Sequence, residues 1–345
     1  MLKHALVVTS IAPPTLLLKA LADGAFSAGW RFYLIGDEKT PYEKYTGQWH
    51  DYYIGVDRQS DYELETVTAL PLSNYSRKNI GYLLAMRDGA DVIVETDDDN
   101  RPLESFWCSR QESHSVPFLL WDGWVNMLMQ FTDTDDLIWP RGFPLECLSL
   151  YSDALPINAS DYGRQLRPFC PIQQSLIGDE PDVDAIYRLT QNYQSHGFCD
   201  KRMAVVKGWC PFNSQNTTWF KEAFPLLYIP SYCKDAYRMD DIWRSFIAQR
   251  IAFENGWAIL WGGMTVSQER NPHDLLKDFE QEIPGYLYNR KIVEYLKALP
   301  IQKGVEHLYD NLRVCYQMMV ERGFIGSAEL PLLECWIRDC RLVLG

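Results

Sequence analysis

Three adjacent aspartates, Asp97-Asp98-Asp99, close the stretch RKNIGYLLAMRDGADVIVETDDDN that runs from Arg77 to Asn100. Neighbouring negative charges repel one another and persist best where something positive sits among them. In an extended segment side chains alternate, so Asp97 and Asp99 are expected on one side and Asp98 on the other. Two oxygen donors on one side suit Mg2+ or Mn2+, hard cations that usually also take diphosphate oxygens. The competing use of the same residues is a solvated acidic turn. Arg77 and Lys78 add cations at the start of a helical pattern, where backbone N–H groups already favour anions. Their plain alternative is an ordinary solvated helix end.

The elements around this cluster decide between those uses. Ala5 to Ser10 (ALVVTS) reads as a buried strand. Pro14 suits the first turn of a helix, and Thr15 to Leu21 is apolar at helical spacing. Trp30 to Ile35 is a second strand, ended by Gly36-Asp37. Strand, helix, strand in this short span is the signal of a parallel α/β sheet. Ser76 can cap the next helix, whose apolar face holds Ile80, Leu83 and Leu84, and Gly89 can close it in the left-handed conformation. Val92 to Val94 forms the following strand, so Thr96 to Asn100 lies at its carboxyl end, where ligands of open α/β sheets bind. That position favours the cation-binding use of the aspartates.

The middle of the chain, about residues 101–235, is rich in Trp, Tyr, Pro and Asn and reads as short strands and long loops. From Asp240 the pattern turns helical, with Ile242, Phe246, Ile247 and Ile251 on one face. Segments 273–282, 286–298, 303–322 and 328–343 also read as helices. This divides the chain into an α/β unit at 1–265 and a helical C-terminal region at 266–345.

Composition bounds the rest. The 345 residues are 47% hydrophobic and 14% aromatic, ample for a large core. A net charge of −13 argues against a general nucleic-acid binder but leaves room for a small basic pocket for a phosphorylated ligand. The nine cysteines are scattered, odd in number and without a CxxC pair, which fits a reduced, cytoplasmic chain better than a disulfide framework or a zinc site. The opening MLKHALVVTSIAPP is too short in its apolar run for a signal peptide, and no stretch approaches the ~20 apolar residues of a membrane span. Peripheral contact with a membrane-bound substrate stays compatible with this. Nothing in the sequence sets an oligomeric state.

The pattern R-x-N-x-G on a helix, then GA-x-V-I and a D-x-D strand end, resembles the nucleotide-sugar glycosyltransferases of the GT-A fold. WPRGFPLE (139–146), IGDEPDVDAIYRLT (177–190), CPFNSQNTTWF (210–220), YRMDDIWRSF (237–246) and ERNPHDLLKDFEQEIPGYL (269–287) sharpen this to a resemblance to the STELLO-type glycosyltransferase-like family. More distantly, the RGFP, PDVDA and DDIW blocks look like the plant reversibly glycosylated polypeptides, which act as UDP-arabinopyranose mutases. The blocks cover roughly residues 5–290. The resemblance implies a Rossmann-like GT-A domain with a mostly parallel central sheet. It implies a nucleoside-diphosphate sugar donor, UDP-linked by analogy, and a saccharide or other hydroxyl acceptor. STELLO proteins carry an N-terminal membrane anchor; no such segment is read here, so their location is not carried over.

By the same resemblance, Thr9, Ser10 and Ile11 should line the base and ribose, with Asp37 near the base and Asn79 bonded to the nucleotide. Arg77 and Lys78 would join them. Asp97 and Asp99 match the D-x-D positions: the last holds the metal, the first touches ribose or donor sugar as well, and Asp98 lies with them against the nucleotide sugar. His273 would be a third metal ligand and Arg270 a diphosphate clamp. Asp240-Asp241 matches an acidic pair that opens a helix late in the fold, where one carboxylate acts as general base towards the acceptor hydroxyl. Asp241 is the preferred base, because a capping role for Asp240 would leave Asp241 facing the cleft. Arg141, in PRGFP, is expected to contact substrate; in the mutase relatives a reversibly glycosylated arginine falls in this block. The readings to be separated are a metal-dependent glycosyltransferase, a sugar-nucleotide mutase working through Arg141, and a catalytically inactive interaction protein. A phosphatase would want a nucleophilic Asp at the end of the first strand, where Thr9 and Ser10 stand.

Overall fold

The computed structural model describes residues 2–132, 136–148, 165–178, 180–191, 198, 202–233, 236–269 and 274–345. Strands β1 (His4–Ser10), β2 (Arg31–Gly36), β3 (Tyr53–Ile54) and β4 (Val92–Thr96) form a parallel block in the order β3-β2-β1-β4. The sheet continues through β5 (Asn100–Pro102), β6 (Val116–Leu120), β7 (Gln165–Leu166), β8 (Ile172–Gly178), β9 (Arg202–Val206), β10 (Asn216–Phe220) and β11 (Ile259–Gln268). The order runs on from β4 as β10-β8-β11-β9-β6-β7, with β5 paired against β11. β10 lies antiparallel between β4 and β8, whereas β11 is parallel to β8. The fold is thus α/β around a large mixed sheet with a parallel nucleus, consistent with a Rossmann-like glycosyltransferase fold.

β1 is buried on both faces. Ala5 and Val7 join the larger core, while Leu6 and Val8 join a second core with Leu18, Leu21 and Ala25 of helix α1 (Leu16–Ala28). This explains the unbroken apolar run in the sequence: a strand covered by helices on both sides needs no polar face. Thr15 caps α1 through its side-chain oxygen, which accepts from the Leu18 N–H.

Helix α2 (Lys78–Arg87) packs on the other face. Its start differs from expectation. A 3-10 turn at Tyr75–Arg77 precedes it, and Asn74, not Ser76, supplies the capping oxygen, accepting from the Ser76 N–H. Gly89 does adopt a positive φ of 76° beyond its end. Gly81 sits where α2 crosses β1 and β2; a Cβ there would stand 2.5 Å from Val7 Cγ1 and 3.0 Å from Ile35 Cγ1. Gly81→Ala should therefore lower stability by roughly 1–3 kcal/mol despite alanine's better helix propensity. A melting temperature at or above wild type would show that the helix can step back freely.

Helix α3 (Asp240–Glu254) is buried nearly all round, so the apolar face read from the sequence understates its burial. Residues read as two helices before 300 form one, α4 (Leu275–Ala298), which runs through Pro284. α5 (Leu308–Glu321) and α6 (Glu329–Leu344) follow. These C-terminal helices are tied into the α/β core by buried polar contacts. Asp339 accepts from the Glu65 and Thr66 backbone N–H groups at 3.2 and 2.7 Å, and Glu329 from those of Ser231 and Tyr232 at 3.0 and 2.8 Å. Among the described residues no helix is long and apolar enough to cross a membrane.

Candidate active site

β1, β2 and β4 end together at Ser10, Gly36 and Thr96, and β10 begins beside them, with Asn216 opposite Thr96. The chain leaves β1 for β2 on one side and β4 lies on the other, which makes this edge a topological switch point. Two cavities open there, of about 340 and 270 Å³. The first is lined by Thr9, Ser10, Ile11, Asp37, Lys39, Ser73, Asn74 and Arg77, together with Asp97, Asp98 and Asp99. The second is lined by Arg141, Asp182, Ser214, Gln215, Tyr237, Arg238, Asp240, Asp241 and Gln268. Tyr75, Asp97 and Asp99 belong to both walls.

The acidic segment is a turn and not the extended run expected: the Asn100 N–H reaches the Asp97 carbonyl at 3.3 Å. The turn still separates the three carboxylates. Asp98 is held by the Ser10 hydroxyl on the side of the first cavity, while Asp97 and Asp99 reach both cavities. Burial pushes the Asp98 carboxyl up, against the Ser10 hydrogen bond, and the charge of Asp97 adds to the rise. Asp97 accepts from the Tyr75 hydroxyl at 2.9 Å and from Lys78 Nζ at 3.2 Å. Asp99 accepts from Gln268 Nε2 at 3.0 Å, and its carbonyl takes the Glu269 N–H.

Of the residues expected around the nucleotide, Thr9, Ser10, Ile11, Asp37 and Arg77 do line the first cavity. Asp37 is also a loop anchor. Its carboxylate accepts from the backbone N–H groups of Glu38, Ser73 and Asn74 at 2.7, 2.9 and 2.9 Å. Arg77 donates to Gln59 and to the Leu70 and Pro71 carbonyls. Lys78 and Asn79 lie beneath the wall and not on it. Lys78 Nζ reaches the Tyr75 hydroxyl, the Thr96 and Ser214 carbonyls and Asp97, all between 2.8 and 3.2 Å. Asn79 pairs both ways with the backbone of Ile229.

The second cavity is organised by Arg141. Its guanidinium forks onto Asp182 and onto Asp241, at 2.9–3.2 Å in each case, and also donates to the Arg238 carbonyl. All five N–H donors are occupied. Burial alone would lower the arginine's affinity for its proton, but Asp182 and Asp241 hold it well above the ordinary value. Burial likewise raises the Asp182 carboxyl, yet Arg141 and the Asn213 amide pull it down to about 2. Asp241 Oδ2 takes in addition the Ser214 N–H at 3.1 Å. Asp240 is less engaged: one oxygen accepts the Asp241 N–H at 2.8 Å. Burial and the neighbouring Asp241 charge push its carboxyl up. Neither aspartate is the capping residue, a place taken by Met239 without a side-chain bond.

A buried ion pair fixes the two acidic elements relative to each other. Glu95, at the end of β4, meets Arg244 of α3 at 2.8 and 3.1 Å, and also accepts from Tyr82 and from the Trp219 indole. Both charged side chains are fully buried. Tyr75, Ser214, Asp182 and Lys39 are site residues that motif reading passes over; Asp182 and Ser214 do fall within the PDVDA and NSQN blocks. Arg270 and His273 lie outside the described residues. Among the described residues no three acidic, histidine or cysteine groups converge as a finished metal cage. The donor chemistry of Asp97 and Asp99, carboxylate oxygens alone, nevertheless fits Mg2+ or Mn2+.

Comparison with known proteins gives this geometry a context. The family model for STELLO glycosyltransferases matches residues 238–344. The probable glycosyltransferase STELLO2 of Arabidopsis thaliana is 24% identical over 369 residues, covering 98% of this chain and 44% of its own length. STELLO1 of the same plant is 25% identical over 366 residues, covering 97% of this chain and 44% of its own. The chain thus spans less than half the length of these relatives. Its resemblance to the STELLO-type glycosyltransferases extends over nearly the whole chain.

Proposed function

We propose that this chain is a glycosyltransferase that takes its sugar from a nucleoside-diphosphate donor, UDP-linked by family analogy, and passes it to a hydroxyl acceptor. The observation that carries the proposal is the pair of cavities joined at Tyr75, Asp97 and Asp99. Donor and acceptor must meet at one point, and here the pocket at the switch point of the sheet meets a pocket that holds an acid pair.

In this reading the first cavity takes the nucleotide. Thr9, Ser10 and Ile11 border base and ribose, and Lys39 stands at the rim. Asp97 and Asp99, with His273 by family analogy, would hold Mg2+ or Mn2+. When bound, that cation would offset the charge of the departing diphosphate. Asp98, kept in place by Ser10, would face the donor. The acceptor enters the second cavity and loses its hydroxyl proton to a carboxylate of α3. We assign that role to Asp240, because Arg141 and Ser214 already occupy both oxygens of Asp241. The acceptor oxygen then bonds to the anomeric carbon, the bond from that carbon to the diphosphate oxygen breaks, and the nucleoside diphosphate leaves. The mutase reading would require Arg141 as a nucleophile. A guanidinium with every N–H engaged and its proton held this firmly favours the transferase. A cytoplasmic location, resting on the scattered cysteines, belongs to the same proposal.

Thermal unfolding with UDP, GDP, CDP and ADP, each with Mn2+ and with chelator, tests the donor half. UDP with Mn2+ should raise the melting temperature by on the order of a few degrees at saturating ligand. Chelator should remove the gain, and Asp99→Ala should show none while keeping the wild-type circular dichroism. Equal melting temperatures for every nucleotide, with and without metal, would refute the donor site.

A further inference from the structure

Between the two cavities runs a short chain of hydroxyls. The Tyr75 hydroxyl lies 2.9 Å from Asp97 Oδ1 and 2.6 Å from Ser214 Oγ. Ser214 Oγ lies in turn 3.3 Å from Asp241 Oδ2. Each hydroxyl carries one proton, and a carboxylate can only accept. Lys78 Nζ, 2.8 Å away, is a pure donor and takes one lone pair of the Tyr75 oxygen.

Two hydroxyl oxygens 2.6 Å apart need a proton between them, which disfavours the state in which Tyr75 serves Asp97 while Ser214 serves Asp241, so two arrangements remain. In the first, Ser214 donates to Tyr75 and Tyr75 to Asp97, so Asp241 receives nothing from the Ser214 hydroxyl. In the second, Tyr75 donates to Ser214 and Ser214 to Asp241, so Asp97 loses the tyrosine. Both hydroxyls must turn together, because the 2.6 Å contact holds one proton: two would clash and none would leave the oxygens repelling each other. One hydrogen bond is thus available to two carboxylates in different pockets.

We infer that Tyr75 and Ser214 form a two-state hydrogen-bond relay that couples the donor-side carboxylate Asp97 to the acceptor-side carboxylate Asp241. The naming of the two sides rests on the function proposed above; the proton count does not. A ligand that claims Asp97 releases the tyrosine proton towards Ser214 and supplies Asp241 with a hydrogen bond. Asp241 is thereby held more firmly on Arg141 and Ser214 when the first cavity is filled. Tyr75 and Ser214 act through other groups, so they are positioning residues.

A double-mutant cycle on the unliganded protein tests this. Asp97→Asn, Asp241→Asn and their combination are unfolded with urea in three backgrounds: wild type, Tyr75→Phe and Ser214→Ala. Either single change leaves the relay free to serve the other carboxylate, whereas the pair leaves it only neutral amide oxygens, which accept more weakly. In wild type the double change should therefore exceed the product of the single effects on the unfolding constant by about threefold or more. That excess should shrink in both other backgrounds, where only direct charge repulsion between the carboxylates persists. An equal excess in all three backgrounds overturns the relay. The cycle needs no nucleotide, so failure of the relay and failure of the donor site are distinguishable. A spectroscopic readout adds to it: in protein labelled with 13C-aspartate, UDP with Mg2+ should move the Asp241 carboxyl resonance in wild type and leave it in place in Tyr75→Phe. An equal movement in both proteins would equally overturn the relay.

Discussion

Arg141→Met is expected to cost on the order of 3–5 kcal/mol of folding stability, the range found when one partner of a buried ionic group is removed. The size follows from what is left behind. Asp182 and Asp241 would share a buried site with Asn213, Ser214 and the Arg238 backbone but without the cation that forks onto both. Methionine fills much of the volume, so the loss is electrostatic more than steric. The pH dependence gives the sign. In wild type Asp182 is held at about 2, below its unfolded value of 3.8. That pairing contributes stability above pH ~4 and loses it as the pH falls towards 2. Without Arg141, burial dominates and the carboxyl pKa rises instead. The variant's deficit should then be greatest near pH ~8 and shrink on acidification to pH ~5, as protonation removes the stranded charge. Urea unfolding at the two pH values measures this. A deficit below ~1 kcal/mol that ignores pH would mean that Arg141 is a replaceable surface contact.

The same arginine marks the limit of what the sequence makes legible. The parallel nucleus is legible, because a strand buried on both faces must be apolar along its length, and Ala5 to Val8 are. The position of the aspartates at a strand's carboxyl end follows from it. The environment of the charges does not follow. Arg77, Lys78 and Asn79 look like ligand contacts because charged and amide groups at a helix start usually face water. Here Lys78 is fully buried, and its acceptors include Ser214, 136 positions away in the chain. Asn79 is satisfied by Ile229, 150 positions away. No local pattern reports such partners. The cap at α2 differs from expectation for a related reason: Ser76 spends its hydroxyl on Ser231 and leaves the cap to Asn74. Tyr75 is hidden in the sequence because an aromatic beside a helix start reads as packing, and only the folded chain sets it between Asp97 and Ser214.

Asp240→Asn should leave nucleotide binding unchanged and lower donor turnover by roughly 10²–10⁴-fold, the usual contribution of a positioned general base. Both aspartates face the second cavity, so the choice between them rests on what each carboxylate is already doing. Asp241 spends its oxygens on the Arg141 fork and the Ser214 N–H. Releasing it to take a proton would break a bidentate charged pair. Asp240 has one oxygen on a backbone N–H, and its carboxyl is raised by burial and by the charge of Asp241. A raised carboxylate holds a proton more strongly and so draws it more effectively from a hydroxyl. It must nevertheless be ionised to start, so turnover should fall on acidification at a pH above the usual carboxylate range. With water standing in for the acceptor, release of UDP from a UDP-sugar gives the rate, and its pH profile locates the limb. Asp240→Asn should lose both rate and limb. Asp241→Asn should instead lose stability, because Arg141 would then be only half compensated. If Asp240→Asn kept wild-type turnover while Asp241→Asn abolished it in a folded protein, the two roles would have to be exchanged. Arg141 would then be the group that releases the base.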